Sequence, residues 1–157
     1  SRPSQRVGIE ITNYWTPRPH LSLDADFAFS RARFRNSAPE GNRIPGAIEG
    51  VFSVGAAYDP PQGWGGALRL RYFGPRPLIE DNSVRSSSSA LVNGRASYRF
   101  KNDVRLSLEA FNLLNSRASD IDYFYESQLP GESAPVADIH THPAEKRSFR
   151  LVLSRQF

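Results

Sequence analysis

All twelve prolines of the chain fall outside seven segments in which apolar and polar residues alternate with period two. Proline lacks the N–H that a sheet ladder requires, so its exclusion marks these segments as strands. They span residues 6–15, 21–34, 48–58, 64–73, 90–100, 104–112 and 146–157. The second is typical: Leu21, Leu23, Ala25, Phe27 and Phe29 oppose Ser22, Asp24, Asp26 and Ser30. Its phase slips near Arg31 and Arg33, as at a bulge or where a strand leaves a buried zone. No stretch sustains an i, i+3, i+4, i+7 apolar pattern, so helices are expected to be scarce.

The connections are of two kinds. Residues 16–20, 59–63 and 101–103 are tight turns, whereas 35–47, 74–89 and 113–145 are long, and the two kinds alternate strictly. Barrels that cross a membrane have this asymmetry, with short turns on one side and long loops on the other. The aromatics add a level. Trp15, Tyr58, Trp64, Tyr98, Phe100 and Phe157 all lie at the strand ends beside the short turns or the C-terminus. In an up-and-down barrel those ends share one height, where amphipathic rings favour the headgroup zone. A soluble sandwich would instead spread its core aromatics along the strands.

Opposite the apolar residues stand Glu10, Asp24, Asp26, Arg69, Arg71, Arg95, Arg99, Arg105, Glu109 and Arg150. In a sandwich this is the solvent face; in a wide barrel it is a polar lumen. The mean hydropathy of −0.49 fits either case. With no cysteine, the chain has no disulfides, no thiolate metal site and no cysteine nucleophile. The net charge of +4, carried almost wholly by arginine, permits anionic partners without demanding them.

Strand arithmetic raises a further expectation. Seven strands are an odd number, and an open edge in lipid leaves backbone groups unsatisfied. With no methionine either, the pattern suggests the C-terminal part of a longer barrel, unable to close alone. The competitor is an eight-stranded barrel, its extra strand supplied by 121–129, where Ile121, Tyr123, Tyr125 and Leu129 alternate.

Glu109-Ala-Phe-Asn-Leu-Leu-Asn115 resembles the Asn-Leu-Phe-Asp type motif at the next-to-last strand of TonB-dependent outer-membrane receptors. The run from Asp120 to Glu132 resembles the segment that follows it in one subgroup, and Arg71 to Leu78 with Glu80-Asp-Asn-Ser83 resembles that subgroup's preceding loop. Phe149, Leu151, Leu153 and Phe157 match the terminal strand read by the barrel-assembly machinery. The resemblance implies an all-β, antiparallel up-and-down transmembrane β-barrel of 22 strands, with residues 1–157 forming about seven C-terminal strands. It implies a Gram-negative outer-membrane receptor for TonB-energised uptake of a scarce nutrient such as a siderophore or cobalamin. The plug domain and the TonB-contacting box are absent from this sequence, so TonB would be met only through a missing N-terminal region. No catalysis, cofactor, metal or nucleic acid is implied; membrane lipid, lipopolysaccharide and a small-molecule ligand are. The alternatives are a small standalone outer-membrane barrel with a structural or adhesive role, and a soluble β-domain binding anionic ligands.

Several residues invite a site reading. His140-x-His142 near Asp138 offers too few ligands for a zinc site and reads as solvated loop. Glu80-Asp81 suits either a cation or an exposed turn, the turn being favoured. The serines at 86–89 have no base or orienting group beside them and read as flexible loop. Tyr123, Phe124 and Tyr125 in a long external loop are suited to stacking on a ligand, or to packing on neighbours as an extension of the sixth strand. Lumenal arginines either steer an anion or pair with the carboxylates of the same face, pairing being preferred. Arg35, Arg43 and Arg85 are placed to meet lipopolysaccharide phosphates.

Overall fold

Alternation along each strand becomes continuity across strands once the hydrogen-bonded register is known. The computed structural model describes residues 2–36 and 38–155. It contains β1 (Ser4–Arg18), β2 (Leu21–Phe34), β3 (Gly50–Tyr58), β4 (Gly63–Phe73), β5 (Ser89–Arg99), β6 (Val104–Phe111), β7 (Ser119–Ser127), β8 (Val136–Pro143) and β9 (Ser148–Arg155). No helix occurs among the described residues. Seven strands form one antiparallel sheet in the order β1-β2-β3-β4-β5-β6-β9, and β7-β8 is a separate hairpin.

The register aligns the apolar faces of all seven strands. Trp15 pairs with Leu23, Leu23 with Ala56, Ala56 with Leu68, Leu68 with Gly94, Gly94 with Ala110 and Ala110 with Phe149. This row starts beside the first short turn and ends at the loop-side end of β9. The strands are therefore staggered, as they must be when they tilt by about 35–45° to a barrel axis. Among the described residues no element packs over the apolar face: Trp64, Leu151 and Leu153 are 71%, 70% and 72% exposed. A continuous exposed apolar face of this kind, spanning seven strands, calls for a lipid solvent. Near the short turns Trp64 meets Tyr98 edge-on at 5.2 Å, and Tyr98 meets Phe100 at 4.8 Å. A second aromatic row, Phe27–Phe52–Tyr72, stacks farther toward the loop side, at 6.1 and 4.9 Å.

The polar face is laced together as the sequence suggests. Arg69 reaches Asp24 at 2.9 Å and Arg150 reaches Glu109 at 2.6 Å. Asp59, in the β3–β4 turn, gathers both Arg99 and Arg105, a role its own sequence context does not announce.

The structure corrects two expectations and decides a third between its two alternatives. Residues 121–129 supply neither an eighth barrel strand nor an extension of the sixth: among the described residues β7 pairs with β8 alone, from Ser119 opposite Pro143 to Ser127 opposite Val136. The first strand runs on through Pro17 to Arg18, with the register shifting between Trp15 and Arg18 to accommodate a residue that cannot donate. No bulge lies at Arg31–Arg33, because β1 and β2 stay in register from Trp15–Leu23 up to Ser4–Phe34. The residue types change there because β2 has passed beyond the apolar zone. The terminal strand is described as Ser148–Arg155, and Phe157 lies outside the described residues.

Candidate functional site

The buried side chains of this chain lie chiefly in its external loops. Pro77 is less than 2% exposed, and Leu78, Ser86, Ala47, Ala118, Asn112 and Asp122 are buried with it. Loop 74–89 folds back on itself: Arg76 and Ser86 exchange bonds, the Ser86 N–H donating to the Arg76 carbonyl at 2.9 Å and the Arg76 N–H to Ser86 Oγ at 3.0 Å. The serine run is thus anchored rather than flexible, and its last member begins β5.

Loop 35–49 is stitched onto loop 74–89. The N–H of Arg43 donates to Glu80 and that of Gly46 to Pro77, both at 2.8 Å. At Gly41, with φ of 110°, a Cβ would lie within 2.5 Å of the Glu80 carbonyl carbon, so the two backbones touch where only glycine fits. Glu80 is itself ion-paired with Arg2, and the Asp81 carboxylate accepts the Ser83 N–H, so the Glu80-Asp81 turn is as expected but its first carboxylate is taken. Arg43 and Arg85 share Glu49, at 3.1 and 2.5 Å, and Arg85 also donates to the Pro75 carbonyl. These two arginines, counted in the sequence among external cations for lipopolysaccharide phosphates, are bolts of the loop cluster through Glu49.

The β7–β8 hairpin leans on this cluster through Arg76 and Asp122, 3.5 Å apart, with side chains only 11% and 5% exposed. Its base is closed by Asn112. The Nδ2 of Asn112 donates to the carbonyls of Ser116 and Glu145, and its Oδ1 accepts the Ser116 N–H. Asn115 adds a bond from the Arg147 N–H. Both asparagines have positive φ, 47° and 52°, which asparagine tolerates better than most residues.

Between loops 35–49 and 74–89, the top of β4 and the hairpin lies a cavity of about 1130 Å³. Tyr123, Phe124 and Tyr125 all line it, together with Arg71, Phe73, Arg76 and Leu78. Tyr123 and Tyr125 are exposed while Phe124 is half-buried, since alternate residues of β7 face opposite ways. Aromatic residues beside two guanidiniums can stack on and orient a bound molecule, but nothing among the lining residues pairs a nucleophile with a base. His140 is not the solvated loop residue expected of it: its ring stacks on Tyr125 at 3.8 Å and 13°, and its Nε2 is buried without a hydrogen-bond partner among the described residues. Among the described residues no three His, Asp or Glu are grouped to hold a metal.

The family model for the TonB-dependent receptor-like β-barrel matches residues 4–113. The chain belongs to the TonB-dependent receptor β-barrel family. Members of this family are outer-membrane receptors and transporters of Gram-negative bacteria, not enzymes. No curated protein matches the sequence. Among solved structures, the ferric yersiniabactin uptake receptor FyuA from Yersinia pestis is 23% identical, matching over 87% of this chain and 22% of its own, with a TM-score of 0.63. The unliganded ferric citrate transporter FecA is 20% identical over 98% of this chain and 24% of its own, with a TM-score of 0.72. The ferric-catecholate import receptor Fiu from K12 E. coli is 17% identical over 98% and 21%, with a TM-score of 0.73. The receptor barrel strands described here thus span about a quarter or less of the solved chains they match.

Arg76, Asp122 and Asn112 are the residues that sequence reasoning passed over as site builders. The available signal was that all three sit inside segments carrying the family resemblance, Arg76 in 71–78, Asn112 in 109–115 and Asp122 in 120–132.

Proposed function

We propose that this chain forms the C-terminal barrel wall and external loops of a receptor that takes up a scarce small-molecule nutrient through the outer membrane, driven by TonB. The observation that carries this reading is the pairing of a lipid-facing sheet with a folded loop cluster bordering an open cavity of about 1130 Å³. A barrel serving only as structure or adhesin has no need of a preformed pocket lined by aromatics and arginines. A soluble anion-binding domain has no use for an exposed apolar face on seven strands. The relatives named above are described as receptors or transporters of ferric yersiniabactin, ferric citrate and ferric catecholates, so a metal chelate is the ligand class we favour. Tyr123, Phe124 and Tyr125 are our ligand-contacting residues. Phe149, Leu151, Leu153 and Phe157 are our assembly signal.

Uptake of ⁵⁵Fe from a panel of ferric chelates tests this, using the full-length receptor in a strain stripped of its other iron receptors. Accumulation from at least one chelate, reduced to background when TonB is deleted, is the expected result. Accumulation that persists without TonB overturns the energised reading. Absence of uptake from any ferric chelate removes the ligand class.

A further inference from the structure

On β2 the lipid-facing phase does not end with the apolar residues. Leu21, Leu23, Ala25, Phe27 and Phe29 are followed on the same face, without a break in register, by Arg31 and Arg33. Their β1 partners are Val7 and Gln5, so Arg31 stands level with the last apolar residue of β1 and Arg33 just beyond it. Both are exposed, and neither makes an ion pair or side-chain hydrogen bond among the described residues. This sets them apart from Arg2, Arg43, Arg76 and Arg85, each of which is paired with a carboxylate.

The neighbourhood is short of negative charge. Arg43 is bridged directly opposite Arg33, and its carboxylate partner Glu49 is already shared with Arg85. Arg31 and Arg33 are themselves like charges on one strand face, an arrangement that favours an anion above them. Two guanidiniums at i and i+2 on one strand face are roughly 7 Å apart at the ordinary rise of a strand. Rooted where the apolar band stops, their stems lie along hydrocarbon and their heads reach the level of the headgroups.

We infer that Arg31 and Arg33 bind the phosphates of the anionic lipid in the outer leaflet. This inference rests on the membrane placement of the sheet and is independent of what the receptor transports. The occupant is a lipid phosphate rather than a free anion because the site opens sideways from the wall, in line with the acyl-facing residues, and not into the loop cavity. None of the residues that line the cavity is Arg31 or Arg33.

The test uses the full-length receptor in nanodiscs of phosphatidylcholine with and without lipopolysaccharide. Retained lipopolysaccharide is counted by native mass spectrometry for wild type, R31Q/R33Q, R31K/R33K and the lumen-phase control R6Q. Wild type and R6Q are expected to retain lipopolysaccharide equally, R31Q/R33Q to bind it about tenfold or more weakly, and R31K/R33K to keep most of the affinity. Equal retention by R31Q/R33Q overturns the inference while leaving the membrane reading intact. Displacement of the lipid by millimolar inorganic phosphate, with the same arginine dependence, makes this a free-anion site and also overturns it. A receptor of which no form enters the discs overturns the membrane placement, and the inference with it.

Discussion

Asp24 on β2 and Arg69 on β4 are ion-paired at 2.9 Å although a whole strand lies between them. The residue of β3 in the same row is Gly55, paired with Asp24 on one side and Arg69 on the other. A Cβ there would lie 2.5 Å from Asp24 Oδ1 and 2.8 Å from an Arg69 guanidinium nitrogen. The missing side chain is the channel through which the pair closes.

Gly55→Ala is therefore expected to open the pair without unfolding the wall, since the displaced atoms are the ends of flexible side chains. Arg69 is 48% exposed and Asp24 24%, so the cost is held to about 1 kcal/mol or less. In an Asp24→Asn background the same alanine should cost almost nothing. The heat-modifiability midpoint of the full-length receptor in detergent, measured over this double-mutant cycle, checks both statements. Additive costs would mean that the glycine matters for its backbone and not for the pair.

Removing the guanidinium at position 76 has a different outcome because its partner is buried. Arg76→Met leaves the Asp122 carboxylate uncompensated inside the loop cluster, a loss of about 3 kcal/mol for a buried pair broken on one side. The barrel sheet contains neither residue, so the melting of the wall should not move. Limited proteolysis should instead show cleavage within 74–89 and 113–145 that wild type resists. Arg76→Met/Asp122→Leu, which removes both charges, should recover much of the resistance.

How much of this was legible in the sequence follows from what each residue must satisfy. The seven wall strands could be read because lipid on one face and a polar lumen on the other enforce period two residue by residue, as in Leu21 to Ser30. β8 escaped because its residues, Val136 to Pro143, stand clear of the lipid-facing wall and carry no such pattern. At Arg31 and Arg33 the change of residue type left a bulge and a departure from the apolar zone both open, and the continuous register selects the departure: the phase continues while the solvent changes. The loop cluster was least legible. Pro77, Ser86 and Asp122 are packed by contacts between residues far apart in the chain, and no local periodicity records which loop will lie on which. Tyr123 and Tyr125 were recognised as loop aromatics, whereas the cavity they line could be seen only once loops 35–49 and 74–89 were in place.

Asn112 offers a sharp test of what its segment is for. Its side chain both donates and accepts, so Asn112→Asp would set a carboxylate against the Ser116 and Glu145 carbonyls while keeping the shape. The expected cost is about 2 kcal/mol or more, at least that of Asn112→Ala, because an acceptor aimed at acceptors is worse than a gap. Hydrogen exchange across 113–146 should accelerate in both variants, with exchange in β4 and β5 unchanged. Faster exchange throughout the sheet would instead make Asn112 a determinant of the wall rather than the latch of the long loop.

The assignment of the two faces makes the last prediction. Leu68 and Asn93 are near neighbours on β4 and β5, yet they point to opposite sides of the sheet: Leu68 pairs with Gly94 on the apolar face, and Asn93 with Arg69 on the polar one. Leu68→Arg places a cation toward the hydrocarbon and should lower the stability of the receptor folded into lipid vesicles by about 2–4 kcal/mol. Asn93→Arg, the same charge added next door, forfeits the bond that the Asn112 N–H donates to Asn93 Oδ1 and sets a cation opposite Arg69, yet meets no hydrocarbon and should cost only about 1 kcal/mol. The contrast is what carries the test. Comparable losses at both positions, read from urea unfolding in vesicles, would mean that both faces meet the same solvent, and the sheet would then be no membrane wall. A loss concentrated at Leu68 leaves lipid as the only solvent that fits the apolar face.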